Sequence, residues 1–367
     1  MSRPTVLQLI ETGGVGGAET VLLQLATGLR PQFEPVVGMF RGGWLRERLD
    51  EAGIETVRFS NKGRYDGALV SSIAEFARRR GVDLIHSHLF TMSVYATMAA
   101  RLARVPSIFT IHGTGEEWRA GSRLWAMRLA ARLSDRIVTV SDYLRALVIR
   151  RLRVPQGRVV RIYNGVDLDR FAAERSGNGP VVGTVGRLRP EKGHSYLLEA
   201  AKLVVEELPA ARFVLVGDGP CLKDLELQRD TLGLSGSVAF LGHQTNIPEL
   251  LGQMSVFVLP STSEGLSIAT IEAQAAGLPA VVTECGGPAE VVVHAETGMV
   301  VPPTDPNALA KAILCLLRNP ALAGNFGERG RRRVAQEFSL DRMLSSYAKL
   351  YARLMAKRQP LGVEVGA

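Results

Sequence analysis

The stretch Thr5-Val-Leu-Gln-Leu-Ile10-Glu-Thr12-Gly-Gly-Val-Gly-Gly-Ala-Glu19 decides how the rest of the chain reads. Its first six residues have the composition of a strand, and a helical pattern fills 19–29. Gly13, Gly14, Gly16 and Gly17 lie between them. Strand, glycine turn and helix in that order open a doubly wound α/β domain. The glycines let backbone approach a ligand closely, and the helix N-terminus behind them offers unpaired N–H groups to an anion. A dinucleotide fingerprint fits poorly, because Gly14-x-Gly16-x-x ends on Glu19 and Phe40 and Arg41 stand where an acidic residue is needed. A tight turn with no ligand role remains open.

Working outward, short apolar or β-branched runs recur at 36–40, 57–59, 84–86, 107–111, 136–140 and 159–163. A second series follows at 181–186, 212–216, 238–241, 256–259 and 280–283. The intervening runs are helical in composition, and residues after 305 read as helices that close with a long pattern from 340 to about 357. Such alternation predicts parallel sheets covered by helices on both faces. It pauses at Phe171-Ala-Ala-Glu-Arg-Ser-Gly-Asn-Gly-Pro180, the clearest cluster of breakers. The expected organisation is a Rossmann-like domain over 1–170, a linker over 171–180, a second Rossmann-like domain over 181–339, and a helical tail over 340–367 packing back on the first. Ligands of two such domains are expected in a cleft, at the carboxyl ends of the strands.

The 367 residues carry 44 Lys and Arg against 36 Asp and Glu, a net charge of +8. Residues 1–178 hold 26 basic and 17 acidic side chains, whereas 179–367 hold 18 and 19. The first half therefore expects an anionic partner or surface, unless the surplus serves only solubility. With 46% hydrophobic and 22% charged residues, disorder over most of the length is excluded. Cys221, Cys285 and Cys315 are too scattered for a disulfide framework or a zinc site, which fits a reducing compartment. No apolar run approaches the ~18–20 residues that span a bilayer. The N-terminus passes from Pro4 straight into a strand rather than through a leader. The expected location is cytoplasmic, with any membrane contact peripheral on the inner face.

Three further motifs carry chemistry. Gly186-Arg-Leu-Arg-Pro-Glu-Lys-Gly193 follows the first strand of the second half, so Arg187 and Lys192 sit where two cations bind a diphosphate. It is not a P-loop, and a solvated basic loop is the plainer reading. Glu264-Gly-Leu-Ser-Ile-Ala-Thr-Ile-Glu272 places one carboxylate at a helix entrance and another eight residues on, about 12 Å along a helix. The pair can hold two ends of an extended polar ligand, with the amides of Leu266 and Ser267 meeting phosphates between them. For Glu264 alone, favourable charge at a helix N-terminus suffices. Among the histidines, His112 follows a strand and precedes Gly113, which points it into the cleft. For His86, His88 and His294 a buried, hydrogen-bonded ring is the plainer expectation, although His86 and His88 also admit a metal. No nucleophile elbow supports a serine triad.

The order of these motifs is more telling than any one of them. Gly-Gly-Val-Gly-Gly-Ala-Glu19, Thr110-Ile-His-Gly113, Val140-Ser141, Tyr163-Asn-Gly-Val-Asp167, Gly186-Arg-Leu-x-x-x-Lys-Gly193, Val216-Gly-Asp-Gly219, Phe240-Leu-Gly242 and Glu264-x7-Glu272 together closely resemble the family-4 retaining glycosyltransferases. The resemblance spans about residues 6 to 300. It implies the GT-B fold, two Rossmann-like domains facing across a cleft. It also implies transfer of a sugar from a nucleotide-sugar co-substrate, with no other cofactor and no metal. By the same resemblance Arg187 and Lys192 neutralise the donor diphosphate, and Glu272 binds the ribose hydroxyls. Glu264 orients the sugar beside the backbone of Gly265, Leu266 and Ser267. His112 lies near the sugar hydroxyls and the reaction centre, Gly16 and Gly17 form a loop closing on the diphosphate, and His243 and Gln244 meet the base. The implied donor is a UDP-sugar first and GDP-mannose second. The expected acceptor is a glycan or a lipid-linked molecule, in polysaccharide or glycolipid synthesis at the cell surface. A 2-epimerase of the same fold and a non-catalytic nucleotide-sugar binder are the alternatives.

Residues 118–136 read as one more helix. Trp118, Trp125, Leu129 and Leu133 share a stripe, flanked by Arg119 and Arg123 on one side and Arg128 and Arg132 on the other. The pattern suits a helix lying on an anionic membrane surface, and equally one packed on a sheet with solvated flanks. No basic stretch interleaves aromatics as in a nucleic-acid-binding module, so no nucleic-acid partner is expected.

Overall fold

The computed structural model describes residues 3–63, 66–114, 121–171 and 179–356. The chain forms two compact units, Met1–Tyr163 with Asp341–Ala367, and Asn164–Leu340. In the first, strands β1 (Thr5–Ile10), β2 (Glu34–Met39), β3 (Glu55–Arg58), β4 (Val82–His88), β5 (Ser107–Ile111), β6 (Arg136–Thr139) and β7 (Val159–Arg161) alternate with helices. These are α1 (Gly17–Gly28), α2 (Trp44–Glu51), α3 (Gly67–Arg80), α4 (Phe90–Ala103), α5 (Ser122–Leu133) and α6 (Asp142–Leu152). The sheet is parallel throughout, in the order β3-β2-β1-β4-β5-β6-β7.

The second unit contains β8 (Val181–Val185), β9 (Arg212–Val216), β10 (Val238–Gly242), β11 (Val256–Leu259), β12 (Ala280–Thr283) and β13 (Gly298–Val301). Its helices are α7 (His194–Glu207), α8 (Leu222–Thr231), α9 (Ile247–Gly252), α10 (Ile268–Ala275), α11 (Pro288–Val291), α12 (Pro306–Arg318) and α13 (Pro320–Glu337). Its sheet is also parallel, in the order β10-β9-β8-β11-β12-β13. Each sheet thus has the Rossmann order, which reverses direction once, between β1 and β4 and again between β8 and β11. The last helix, α14 (Leu340–Ala356), returns to the first unit, with Tyr347 and Tyr351 fully buried there.

The runs that make these strands are apolar because both faces of a parallel sheet are covered. All six residues of β1 are buried. Leu7, Leu9, Ile73 and Ala96 form one core, and Ile10, Leu22, Val37 and Leu45 form another. In the second unit Val182, Leu198, Phe213, Val256 and Ile313 meet in a single core. Side-chain caps fix helix starts: Ser141 accepts from the Leu144 amide at 3.1 Å, and Asp305 accepts from Ala308 at 2.9 Å ahead of Pro306.

Two features differ from the sequence reading. Strand β13 was not expected, since Gly298-Met-Val-Val301 is short and runs into Pro302 and Pro303. The units divide between Tyr163 and Asn164 rather than at the breaker cluster, because Val166 pairs with Ser339 and so anchors 164–171 to the second unit. Residues 172–178 of the expected linker lie outside the described residues.

Candidate functional site

In an open parallel sheet the helices leave opposite faces on either side of the order reversal, so a crevice forms at the carboxyl ends of the two strands there. In the second unit those strands are β8 and β11. The loop after β8 brings Lys192, and the loop after β11 brings Glu264. The Lys192 Nζ donates to Glu264 Oε2, with the side chains 23% and 15% exposed. A partly shielded pair of this kind interacts more strongly than a surface ion pair.

Main-chain contacts lock these loops together. The Thr262 amide donates to Glu191 O at 2.8 Å, and the Gly287 amide donates to Glu264 O at 3.2 Å. Gly193 has φ +66°, and a Cβ there would lie 2.1 Å from Pro260 O. A Cβ on Gly287 would lie 1.9 Å from Gly265 O. Only glycine fits at either place.

Arg187 is exposed in the same loop as Lys192. That loop is tied to the segment after β9 through Leu188 N to Asp218 O, and this segment to the end of β10 through Gly217 N to Gly242 O. Gly265, Leu266 and Ser267 are buried at the start of α10. Ser267 caps this helix, its hydroxyl accepting from the Thr270 amide at 3.1 Å. No acceptor for the amides of Leu266 and Ser267 is found among the described residues. Glu272 is half-buried on α10, where burial pushes its carboxyl up to about 7 while Arg170 pulls the other way. His243 and Gln244 are exposed just after β10, the Gln244 side chain donating to Leu241 O at 2.7 Å.

Sequence reasoning passed over Cys285, which is buried close enough to Glu264 and Lys192 to sense both charges. Burial pushes its thiol up, opposed by a hydrogen bond with Thr283. The one available signal was its position just beyond β12.

In the first unit Gly16 caps α1 and Gly17 begins it. The Gly16 carbonyl accepts from the Thr20 amide at 2.9 Å. Glu19, which interrupts the dinucleotide pattern, is buried and accepts from the Thr12 hydroxyl at 2.6 Å, closing the glycine turn. At the ends of β4 and β5 stands a cluster that the sequence did not reveal. His86 Nδ1 meets the Tyr351 hydroxyl at 2.6 Å, and its Nε2 meets Thr110 Oγ1 at 2.8 Å. Thr110 Oγ1 lies 3.1 Å from the Tyr347 hydroxyl. His88 Nδ1 meets His112 Nε2 at 2.9 Å, with the two rings stacked.

Both ring nitrogens of His86 are thus engaged within the protein, which removes it as a metal ligand. Desolvation lowers His86 to about 3 and His112 to about 4, and takes His88 well below 6.5. Leu89, directly after His88, has φ +65° and ψ 169°, a conformation strained for any residue with a Cβ. His294, expected to be buried, is exposed and accepts from the Val300 amide at 3.0 Å.

Two family profiles divide the chain between them: Glycosyltransferase Family 4 matches residues 15–170, and Glycosyl transferases group 1 matches residues 166–333. The chain belongs to the family-4 glycosyltransferases. The putative glycosyltransferase EpsF of Bacillus subtilis (strain 168) is 30% identical, over 77% of this chain and 80% of its own length. The Escherichia coli enzyme UDP-Gal:alpha-D-GlcNAc-diphosphoundecaprenol alpha-1,3-galactosyltransferase is 29% identical, over 78% of this chain and 79% of its own. Among solved structures, Anabaena Alr3699/HepE in complex with UDP superposes with a TM-score of 0.86 at 25% identity, covering 95% of this chain and 100% of that one. This glycosyltransferase therefore has the GT-B fold, built from two parallel-sheet α/β domains.

The histidine cluster makes the first unit acid-sensitive. The folded state holds the three rings neutral, whereas the unfolded chain takes up protons below about pH 6.5. Stability is therefore held above pH 6.5 and lost progressively as pH falls from 6.5 to 4. Urea midpoints between pH 7.5 and 4.5 should decline, and His88→Gln should flatten the slope. A midpoint independent of pH is the contrary result.

Proposed function

We propose that this glycosyltransferase moves a hexosyl group from a UDP-sugar to a glycan or lipid-linked acceptor, with retention at the anomeric carbon and without a metal on the diphosphate. GDP-mannose is the second donor class, and the role is synthesis of a cell-surface polysaccharide or glycolipid. The observation that carries this reading is the Lys192–Glu264 pair at the order reversal of the second sheet, with Arg187 in the same loop. Relatives support the donor and acceptor classes. HepE has been solved with UDP and with UDP-glucose. The E. coli relative is named for UDP-Gal and for an acceptor on diphosphoundecaprenol.

In the proposed reaction Arg187 and Lys192 lie along the diphosphate, and the α10 amides of Leu266 and Ser267 complete its surroundings. Their positive charge stabilises the nucleoside diphosphate as it departs, the task a divalent ion performs elsewhere. Glu264 keeps Lys192 in place and accepts from a sugar hydroxyl, and Glu272 accepts from the ribose. A role for His112 rests on the family resemblance alone, since its Nε2 meets His88 and its Nδ1 is buried. The C1–oxygen bond to the diphosphate breaks while the acceptor oxygen bonds C1 from the same face. A phosphate oxygen of the leaving group takes the acceptor proton. Retention is read from the product's anomeric configuration by NMR, and mass spectrometry of quenched enzyme should find no covalent sugar. An inverted product or a trapped glycosyl-enzyme overturns this mechanism.

Lys192→Ala should lower kcat by roughly 10²–10³ with the melting temperature nearly unchanged, the scale for losing one charged stabiliser of a leaving group. Near-normal turnover would remove Lys192 from the diphosphate. Glu272 gives a second expectation. With its carboxyl near 7, binding of ribose hydroxyls to the carboxylate must release a proton below that pH. Affinity for UDP-glucose, whose diphosphate has no group titrating in this range, should therefore rise by calorimetry between pH 6 and 8, and Glu272→Gln should abolish the dependence. A flat profile in the parent protein counts against the ribose contact.

A further inference from the structure

Helix α5 buries Leu124, Met127, Ala130 and Ala131. The stripe singled out in the sequence faces the other way. Trp125 is 65% exposed and Leu129, one turn on, is 48% exposed. Leu133 at the end of that stripe is half-buried, and Trp118 and Arg119 lie outside the described residues. Core packing therefore does not use the Trp125–Leu129 edge.

Beside that edge is a cavity of about 430 Å³ lined by Arg128, Arg150, Arg151 and Arg153. Arg128 comes from α5, Arg150 and Arg151 from the last turn of α6, and Arg153 from its C-cap. The Arg128 Nε donates to Arg151 O at 3.0 Å, and its guanidinium lies 5.2 Å from the Trp125 ring. None of the four forms an ion pair with a carboxylate among the described residues.

The negative end of α6 favours Arg150 and Arg151 and takes Arg128 on its Arg151 carbonyl, but it supplies no counter-charge to the four guanidinium groups. Four guanidinium groups around one concavity, three of them exposed, can be joined by an anion with several acceptor oxygens, and phosphate matches their planar forks. A soluble phosphate leaves Trp125 and Leu129 in water. A phosphate at a lipid surface places both at the boundary between headgroups and acyl chains, where an indole is favoured. No described helix is long and apolar enough to cross a membrane, so the contact is with the surface.

We propose that the face formed by α5 and the end of α6 docks on an anionic bilayer, Trp125 and Leu129 entering the interface while Arg128, Arg150, Arg151 and Arg153 hold lipid phosphates. This deepens the lipid-linked acceptor of the proposed reaction and rests on that reading only for its purpose. Its test measures lipid binding without donor or turnover, so either can fail alone.

The full chain is sedimented with vesicles of phosphatidylcholine alone and with vesicles containing phosphatidylglycerol. Binding should require phosphatidylglycerol and weaken with salt. The triple variant R150A/R151A/R153A should bind on the order of 100-fold more weakly, roughly fivefold per arginine. W125A/L129A should lose about tenfold or more. Both variants should melt like the parent and keep its stabilisation by UDP. Equal binding to both vesicle types overturns the proposal, as does undiminished binding by the triple variant. So does stabilisation by millimolar inorganic phosphate, lost in the triple variant, in a protein that binds neither vesicle.

Discussion

Lys192 and Glu264 are 72 residues apart and meet because β8 and β11 are neighbours in the second sheet. Everything proposed for the donor depends on that adjacency. Strand β8 continues through α7 to β9 on one side of it, and β11 continues through α10 to β12 on the other. Right-handed crossovers running in opposite directions must cover opposite faces of the sheet. Accordingly α7 packs with α12, and α10 with α13. The two loops therefore meet at the strand ends, where they bring together a cation, a carboxylate and the start of α10. No helix propensity or local turn is responsible for this arrangement. It follows from the strand order and the handedness of the connections.

The adjacency is useful only because the loops approach more closely than side chains allow. Gly193 against Pro260 O and Gly287 against Gly265 O are contacts between main chains, and each would exclude a methyl group. Main-chain hydrogen bonds then fix the loops at their bases, leaving Lys192 and Glu264 to project from rigid supports. Preorganisation of this kind lets fixed charge act on a leaving group without first reorienting. The chain also passes between its two units twice, at Tyr163–Asn164 and Leu340–Asp341. The two passages run side by side, joined by Val166 N to Phe338 O and Leu340 N to Val166 O, both at 2.9 Å.

Much of this was legible in the sequence for one physical reason. Strands covered on both faces read as unbroken apolar runs, so twelve of the thirteen strands among the described residues could be located from the sequence. Strand order was not legible, because alternation does not say which strands are neighbours. Lys192 and Glu264 were each noticed from local motifs and were expected to act on a ligand, but their bond to each other depends on sheet order. The unit boundary was missed for a similar reason. Ser-Gly-Asn-Gly-Pro180 is a strong local signal for a loop, whereas the pairing of Val166 with Ser339 is long-range and leaves none. The same limit hid the partners of His86, since Tyr351 lies 265 residues away.

The histidine cluster adds a constraint that no local pattern encodes. Burial keeps His88 and His112 neutral, so each ring carries one N–H. One of those protons lies in the His88 Nδ1–His112 Nε2 hydrogen bond. The remaining nitrogens, His88 Nε2 and His112 Nδ1, are buried and have no partner among the described residues. If His88 donates, His112 Nδ1 carries a proton and His88 Nε2 is bare. If His112 donates, the roles exchange. One of these two nitrogens is always a donor and the other an acceptor, so the tautomers of the two rings are coupled. The coupling is internal to the first unit, and the strain at Leu89 sits directly beside His88.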